Sequence, residues 1–288
     1  MCGFIFLPCI YIIHFKGVEI LLNILFCGDS NMTKGIYLSL LSVCKNVPPP
    51  DVYILTASIG RHTAIPADFA AELEKATGAK VRLLDISGEF SSYLPLANMN
   101  TRFTPLCMLR LFADKVPEIP DKILYLDTDV LCRADFTAFY NSDISDIEIL
   151  GVPDRYGKLF FGNILRHDYL NSGVLLMNMK NIRRNGLFEK CREMCRDKKM
   201  FMPDQSALNK LAVKRKAQGK YNEQGKIKPD TVFKHFTTFF KFFPHLHAVT
   251  VKPWDVERLH AELRIYEFDD IIRRYENEQR NTYFLHDR

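Results

Sequence analysis

The chain has no long apolar run, no Cys-x-x-Cys pair, no internal repeat and no low-complexity tract, and each absence excludes a class of protein. Its most apolar stretch, residues 3–15, falls short of the ~20 residues needed to cross a bilayer, and Pro8 interrupts it. It also lacks a basic flank and an Ala-x-Ala cleavage site, which argues against a secretory signal. Residues 1–18 therefore read as a dispensable apolar extension, with a monotopic anchor as the alternative and the fold beginning near Val18. The cysteines at 2, 9, 27, 44, 107, 132, 191 and 195 are scattered, several of them in apolar runs. Buried reduced thiols in a cytoplasmic protein fit that pattern better than disulfides or zinc.

With 288 residues, 47% hydrophobic and 25% charged, the chain can bury one large core, and a single α/β domain with appendages is expected. Formal net charge is +5, and the excess is local: residues 180–228 hold 15 Lys/Arg and only 5 Asp/Glu. Six phenylalanines follow between 233 and 243. A basic, aromatic flank of this kind suits peripheral contact with an anionic membrane face; a solvated helix beside buried Phe is the competing reading. No nucleic-acid partner is expected.

The most informative stretch is Lys122-Ile-Leu-Tyr-Leu-Asp-Thr-Asp-Val-Leu-Cys-Arg133. Ile123–Leu126 is an apolar run too short for a helix, as in a strand buried on both faces of a mostly parallel sheet. Asp127 and Asp129 follow at its carboxyl end, where open α/β sheets bind ligands. Strand alternation would project both carboxylates together and turn Thr128 away. Two such carboxylates repel unless a cation lies between them, and Mg2+ or Mn2+ accepts carboxylate oxygens and bridges to phosphate. The stretch reads as a metal–diphosphate site, or, more plainly, as an Asp pair capping a turn.

Around it the chain alternates strands and helices. Asn23–Cys27 is a strand ending in Gly28-Asp29-Ser30-Asn31, with an amphipathic helix through Ile36–Val43. Val52–Ala57 and Val81–Asp85 read as strands, separated by a helix over Ile65–Thr77. Phe103–Ala113 is a helix candidate carrying Arg110, whose charge on an apolar segment wants an anion. Ile147–Pro153 and Asn171–Lys180 read as strands, Ile182–Lys199 and Leu259–Arg280 as helices. Pro203-Asp204-Gln205-Ser206 opens another helix, where Asp204 has the character of an N-cap. His235 follows the short β-prone run Thr231-Val-Phe-Lys, and Lys252-Pro-Trp254 closes the series.

Taken in order, these motifs resemble glycosyltransferase family 8, which includes bacterial lipopolysaccharide glucosyl- and galactosyltransferases, over roughly residues 23–254. The resemblance implies a GT-A fold at 19–255 with a helical C-terminal extension at 256–288. It also implies a UDP-hexose donor, Mn2+ or Mg2+, a saccharide or glycolipid acceptor from the cell envelope, and transfer with retention of configuration. By position, Asp29 and Asn31 resemble the pair that contacts the nucleoside, and Arg110 the arginine that holds the donor. Asp127 and Asp129 resemble the Asp-x-Asp metal motif, with Asp127 also touching the donor. Asn171 and Ser172 fall where donor-sugar contacts lie, Asp204 and Gln205 resemble the pair at the reacting sugar, and Lys252 resembles the diphosphate ligand. The family's ending, His-aromatic-x-Gly shortly before Lys-Pro-Trp, is altered: a Phe-rich insertion without that Gly follows His235. His235 is the expected third metal ligand because it ends the β-prone run, whereas His245 and His247 lie beyond Pro244 in the insertion.

Three other readings compete. Gly28-Asp29-Ser30-Asn31 resembles the nucleophile block of SGNH hydrolases, but no histidine here has Asp three residues before it to act as base. Leu126-Asp-Thr-Asp-Val130 fits the haloacid-dehalogenase nucleophile motif, yet only Asp269-Asp270 could imitate that family's downstream pair. A catalytically silent UDP-sugar-binding partner protein is the third.

Overall fold

The computed structural model describes residues 21–93, 96–98, 105–156, 168–241, 245 and 247–286. The extension expected at 1–18, Phe103 at the start of the Arg110 helix, and Phe242 and Phe243 lie outside the described residues. The strands are β1 (Asn23–Cys27), β2 (Asp51–Thr56), β3 (Lys80–Asp85), β4 (Lys122–Leu126), β5 (Val130–Cys132), β6 (Ile149–Pro153), β7 (Leu170–Asn178) and β8 (Lys214–Lys216), followed by β9 (Phe233–His235), β10 (Phe239–Lys241) and β11 (His247–Val249). Seven of them form one sheet in the order β3-β2-β1-β4-β7-β6-β8. It is mostly parallel, as expected, but β7 runs antiparallel to both β4 and β6. That reversal brings the start of β7 against the end of β4.

The apolar runs are continuous because the sheet is covered on both faces. Ile24, Phe26, Leu124, Leu126 and Leu176 enter one core cluster. Leu25, Tyr53, Leu55, Ile123, Tyr125 and Leu175 enter the other. Helix α1 (Thr33–Asn46) packs on the first face, joined by the C-terminal segment through Leu259, Phe268, Ile271 and Ile272. Burying each such side chain stabilises the fold by about 1.5–3 kcal/mol.

Four expected helices differ from the sequence reading. Helix α2 (Asp68–Thr77) starts three residues later than expected and stops at Gly78, whose φ of 71° lets the chain turn left-handed. The Arg110 segment is a 3-10 helix, Pro105–Lys115, rather than an α-helix. It is buried along most of its length. The helix expected over Ile182–Lys199 is two, Met179–Asn185 and Leu187–Asp197, because Gly186 between them adopts φ 63°. The helix expected from Leu259 is broken at Arg264, with φ 54°; a single π turn (Leu259–Leu263) precedes the break and the long helix Asp269–His286 follows. Among the six phenylalanines, Phe233 and Phe236 are fully buried and Phe239 packs on the core, so these belong to the interior rather than to a docking face. Among the described residues no helix is long and apolar enough to cross a membrane.

Gly35 sets how closely α1 approaches the Asp-pair turn. A Cβ on it would lie 2.6 Å from the Thr128 carbonyl oxygen and 2.9 Å from Trp254 Cζ3. Gly35→Ala should cost about 1–3 kcal/mol by overpacking. A denaturant midpoint equal to that of the unaltered chain would contradict this packing.

Candidate functional site

Asp127 and Asp129 lie in the turn between β4 and β5 rather than on a continuing strand. The turn closes through Val130 N–H donating to the Asp127 carbonyl at 3.1 Å. It reaches the arrangement expected from strand alternation by another route. Both carboxylates face His235 Nε2, at 3.7 Å from Asp127 Oδ2 and 3.2 Å from Asp129 Oδ1. The Thr128 hydroxyl turns the other way, toward Met32 Sδ at 3.5 Å. His235 arrives on β9, which pairs antiparallel with β5 so that His235 sits beside Val130. His245 is exposed, and the ring nitrogen of His247 bonds to the His245 carbonyl.

Across the sheet, Asp127 N–H donates to Gly173 O at 2.8 Å, one step beyond the Leu126–Val174 register. The imidazole and the carboxylate both press on Gly173. A Cβ there would overlap the His235 ring, lying 2.6 Å from Nδ1 and 2.8 Å from Asp127 Oδ2. Only glycine leaves room for the three side chains to converge.

Cations hold this negative cluster. The Lys252 ammonium is bonded to Asp129 Oδ2. Arg110, 5% exposed, donates from Nη2 to Asp127 Oδ1 at 3.0 Å and from Nη1 to the Ser172 carbonyl at 2.5 Å, and its Nε lies 3.2 Å from Asp204 Oδ2. Its guanidinium also stacks over the Tyr125 ring at 4.1 Å, and the Tyr125 hydroxyl donates to Asp127 at 2.6 Å. Burial works against the charge of Asp129, but Lys252 and His235 outweigh it and hold its carboxyl well below the usual range. Asp204 goes the other way: burial raises its pKa despite Arg110.

The remaining expected residues meet the same cavity of about 650 Å³. The Gln205 carbonyl accepts from Ser172 N–H at 2.9 Å and from its hydroxyl at 3.2 Å. Asn171 Nδ2 donates to Asp154 at 2.9 Å. At the far end Asp29, 2% exposed, accepts from the backbone N–H and the side-chain amide of Asn31 and meets His62 Nδ1 at 2.6 Å. Thus Asp29, Asn31, Arg110, Asp127, Asp129, Asn171, Ser172, Asp204, Gln205, His235 and Lys252 all line one cavity. The sequence reading missed Asp154, His62, Tyr125 and Asn222. Asp154 follows the carboxyl end of β6, and Tyr125 precedes Asp127 by two, so strand-end and period-2 signals were present for those two; His62 comes from a turn and Asn222 from the short 3-10 helix Gly219–Asn222, and neither carries such a signal.

The competing chemistries find no machinery here. The Ser30 hydroxyl bonds to Thr63 rather than to a histidine. Asp269 bonds to His260 and Asp270 to Lys45. In contrast, two carboxylate oxygens and an imidazole nitrogen within 4.8 Å of one another suit a divalent ion. Carboxylate oxygens suit Mg2+ and Mn2+ alike. Gly173→Ala should lower Mn2+ affinity at least tenfold with unchanged far-ultraviolet circular dichroism, read by the free-Mn2+ electron paramagnetic resonance signal. Unaltered affinity would show that the three donors need not converge on the glycine.

The same order of elements occurs in known proteins. The profile of Glycosyl transferase family 8 matches residues 23–257. A lipopolysaccharide 1,2-glucosyltransferase of Escherichia coli K12 is 24% identical over 267 residues, 85% of this chain and 76% of that one. A probable glycosyl transferase, Gly, of Streptococcus gordonii is 32% identical over 117 residues, 40% of this chain but 16% of that much longer protein. In three dimensions the chain superposes on the galactosyltransferase LgtC in complex with donor and acceptor sugar analogs, with a TM-score of 0.65 and 22% identity, over 89% of this chain and 96% of that one. The α/β sheet is thus of the GT-A type, and the profile match across most of the sequence establishes that this chain belongs to glycosyltransferase family 8.

Proposed function

We propose that this glycosyltransferase moves a hexose, glucose or galactose, from a UDP-sugar to a saccharide or glycolipid of the cell envelope, with retention of configuration and with Mn2+ bound at Asp127, Asp129 and His235. The observation that carries the reading is the convergence of those three donors with Lys252 and Arg110 at one end of a cavity whose other end holds the Asp29–Asn31 pair. A bound divalent ion would neutralise the diphosphate as charge develops on it. Lys252, half-buried on a flexible stem and already paired with an anionic oxygen, is placed to take a phosphate oxygen and stabilise the leaving UDP. Asp29, held by Asn31 and His62, offers acceptor oxygens to the hydroxyls or imide of a nucleoside. Arg110 spans Asp127 and Asp204, so it fixes the distance between the diphosphate end and the reacting sugar. Asp204 and Gln205 face that sugar, with Gln205 clamped by Ser172 and Asp154. The likeness to LgtC, described with donor and acceptor sugar analogs, and to lipopolysaccharide glucosyltransferases supports this choice of substrates.

A panel of UDP-sugars assayed for UDP release with Mn2+ should show turnover with UDP-glucose or UDP-galactose. Asp129→Asn should reduce that turnover by at least a hundredfold with an unchanged fold, because losing a ligand's charge weakens the metal more than the core. Turnover of a phosphatase substrate with no UDP release from any sugar would sink the proposal, and full activity of Asp129→Asn would assign the Asp pair to turn capping.

A further inference from the structure

Asn222 ends the short 3-10 helix Gly219–Asn222 before β9, is 1% exposed and was assigned no role above. Its side chain nonetheless joins a buried relay that ends on His235. The Asn171 carbonyl oxygen accepts from Gly173 N–H at 3.0 Å and from Asn222 Nδ2 at 2.9 Å. Asn171 Nδ2 donates to Asp154 Oδ2 at 2.9 Å, and Asn222 Oδ1 meets His235 Nδ1 at 3.0 Å.

The direction of each bond in this relay is forced. A backbone N–H only donates, and an ionised carboxylate only accepts. Gly173 and Asp154 therefore fix which end of the Asn171 amide is oxygen. Asn171 presents that oxygen to Asn222 as well, so Asn222 must answer with its NH2 group. Its carbonyl oxygen is left facing His235 Nδ1, and an oxygen there requires the proton on Nδ1. Nε2, the atom that faces Asp127 and Asp129, is then the nitrogen left to exchange its proton for a divalent ion.

We infer that Asn222 is a positioning residue that, through Asn171, Gly173 and Asp154, holds His235 in the Nδ1–H tautomer and aims Nε2 at the divalent-ion position. The inference rests on the metal reading above for its purpose, but the tautomer is a property of the metal-free chain. Hydrogen-bonded partners of this kind orient ligating imidazoles, and their loss costs about 10–100-fold in metal affinity.

Long-range 1H–15N correlation spectra of histidine-labelled, metal-free protein should show His235 protonated on Nδ1, the Nδ1–H pattern. Asn222→Leu, which keeps the volume but offers no acceptor, should lose that pattern and weaken Mn2+ binding about 10–100-fold by electron paramagnetic resonance. Asn222→Asp keeps an acceptor for Nδ1–H but gives up the bond to Asn171, so it should keep the Nδ1–H pattern and lose less Mn2+ affinity than Asn222→Leu. An Nε2–H tautomer in the unaltered protein overturns the inference, as does an equal loss of affinity in the Leu and Asp variants, which would mark Asn222 as packing only. If Asn222→Leu does not fold, the spectrum of the unaltered chain and the Asp variant still decide. A chain with the Nδ1–H pattern that binds no Mn2+ would overturn the metal reading and leave the relay standing.

Discussion

The structure depends on one crowded point: the backbone of Gly173, where β7 runs antiparallel to β4 and two carboxylates and an imidazole come together. Like charges held this close are unfavourable unless cations answer them. The chain supplies Arg110 from the 3-10 helix and Lys252 from the segment after β11. Much of the local architecture follows from getting those groups to one place without a Cβ in the way.

That need explains why the sheet is not uniformly parallel. A parallel β7 would present its carboxyl end beside Asp127; reversed, it presents Asn171, Ser172 and Gly173 instead. Ser172 bonds to Gln205, and Asn171 bonds to Asp154, to Asn222 and to Gly173 N–H. The polar floor of the cavity is therefore one hydrogen-bonded fabric running from Gln205 to His235. Buried networks with every member paired rigidify what they hold. The Asp204–Gln205 side of the cavity is thereby linked to the Asp127–Asp129–His235 cluster.

What could be read from the sequence divides along physical lines. β1, β2 and β4 were legible because strands buried on both faces leave continuous apolar runs, and Asp127 and Asp129 because a carboxylate beside such a run has few structural reasons to be there; Asp204 came only from the family resemblance. Arg110 read as seeking an anion and meets Asp127 and Asp204, but its segment read as an ordinary helix where the chain winds as a 3-10 helix. Gly186 and Arg264 broke helices that read as continuous: hydrophobic patterning survives a one-residue break that only backbone torsions record. Asn222 and His62 could not be found, because an isolated asparagine or histidine outside the strand ends acquires meaning only from the partner the fold brings to it.

The central claim is that the cluster at Gly173 binds a divalent ion and a nucleoside diphosphate as one unit. Titrating Mn2+ by electron paramagnetic resonance with and without saturating UDP tests it most directly, since coupling between two ligands is reciprocal and measurable from either side. The account predicts that UDP tightens Mn2+ binding by at least tenfold. Mn2+ affinity indifferent to UDP would contradict it.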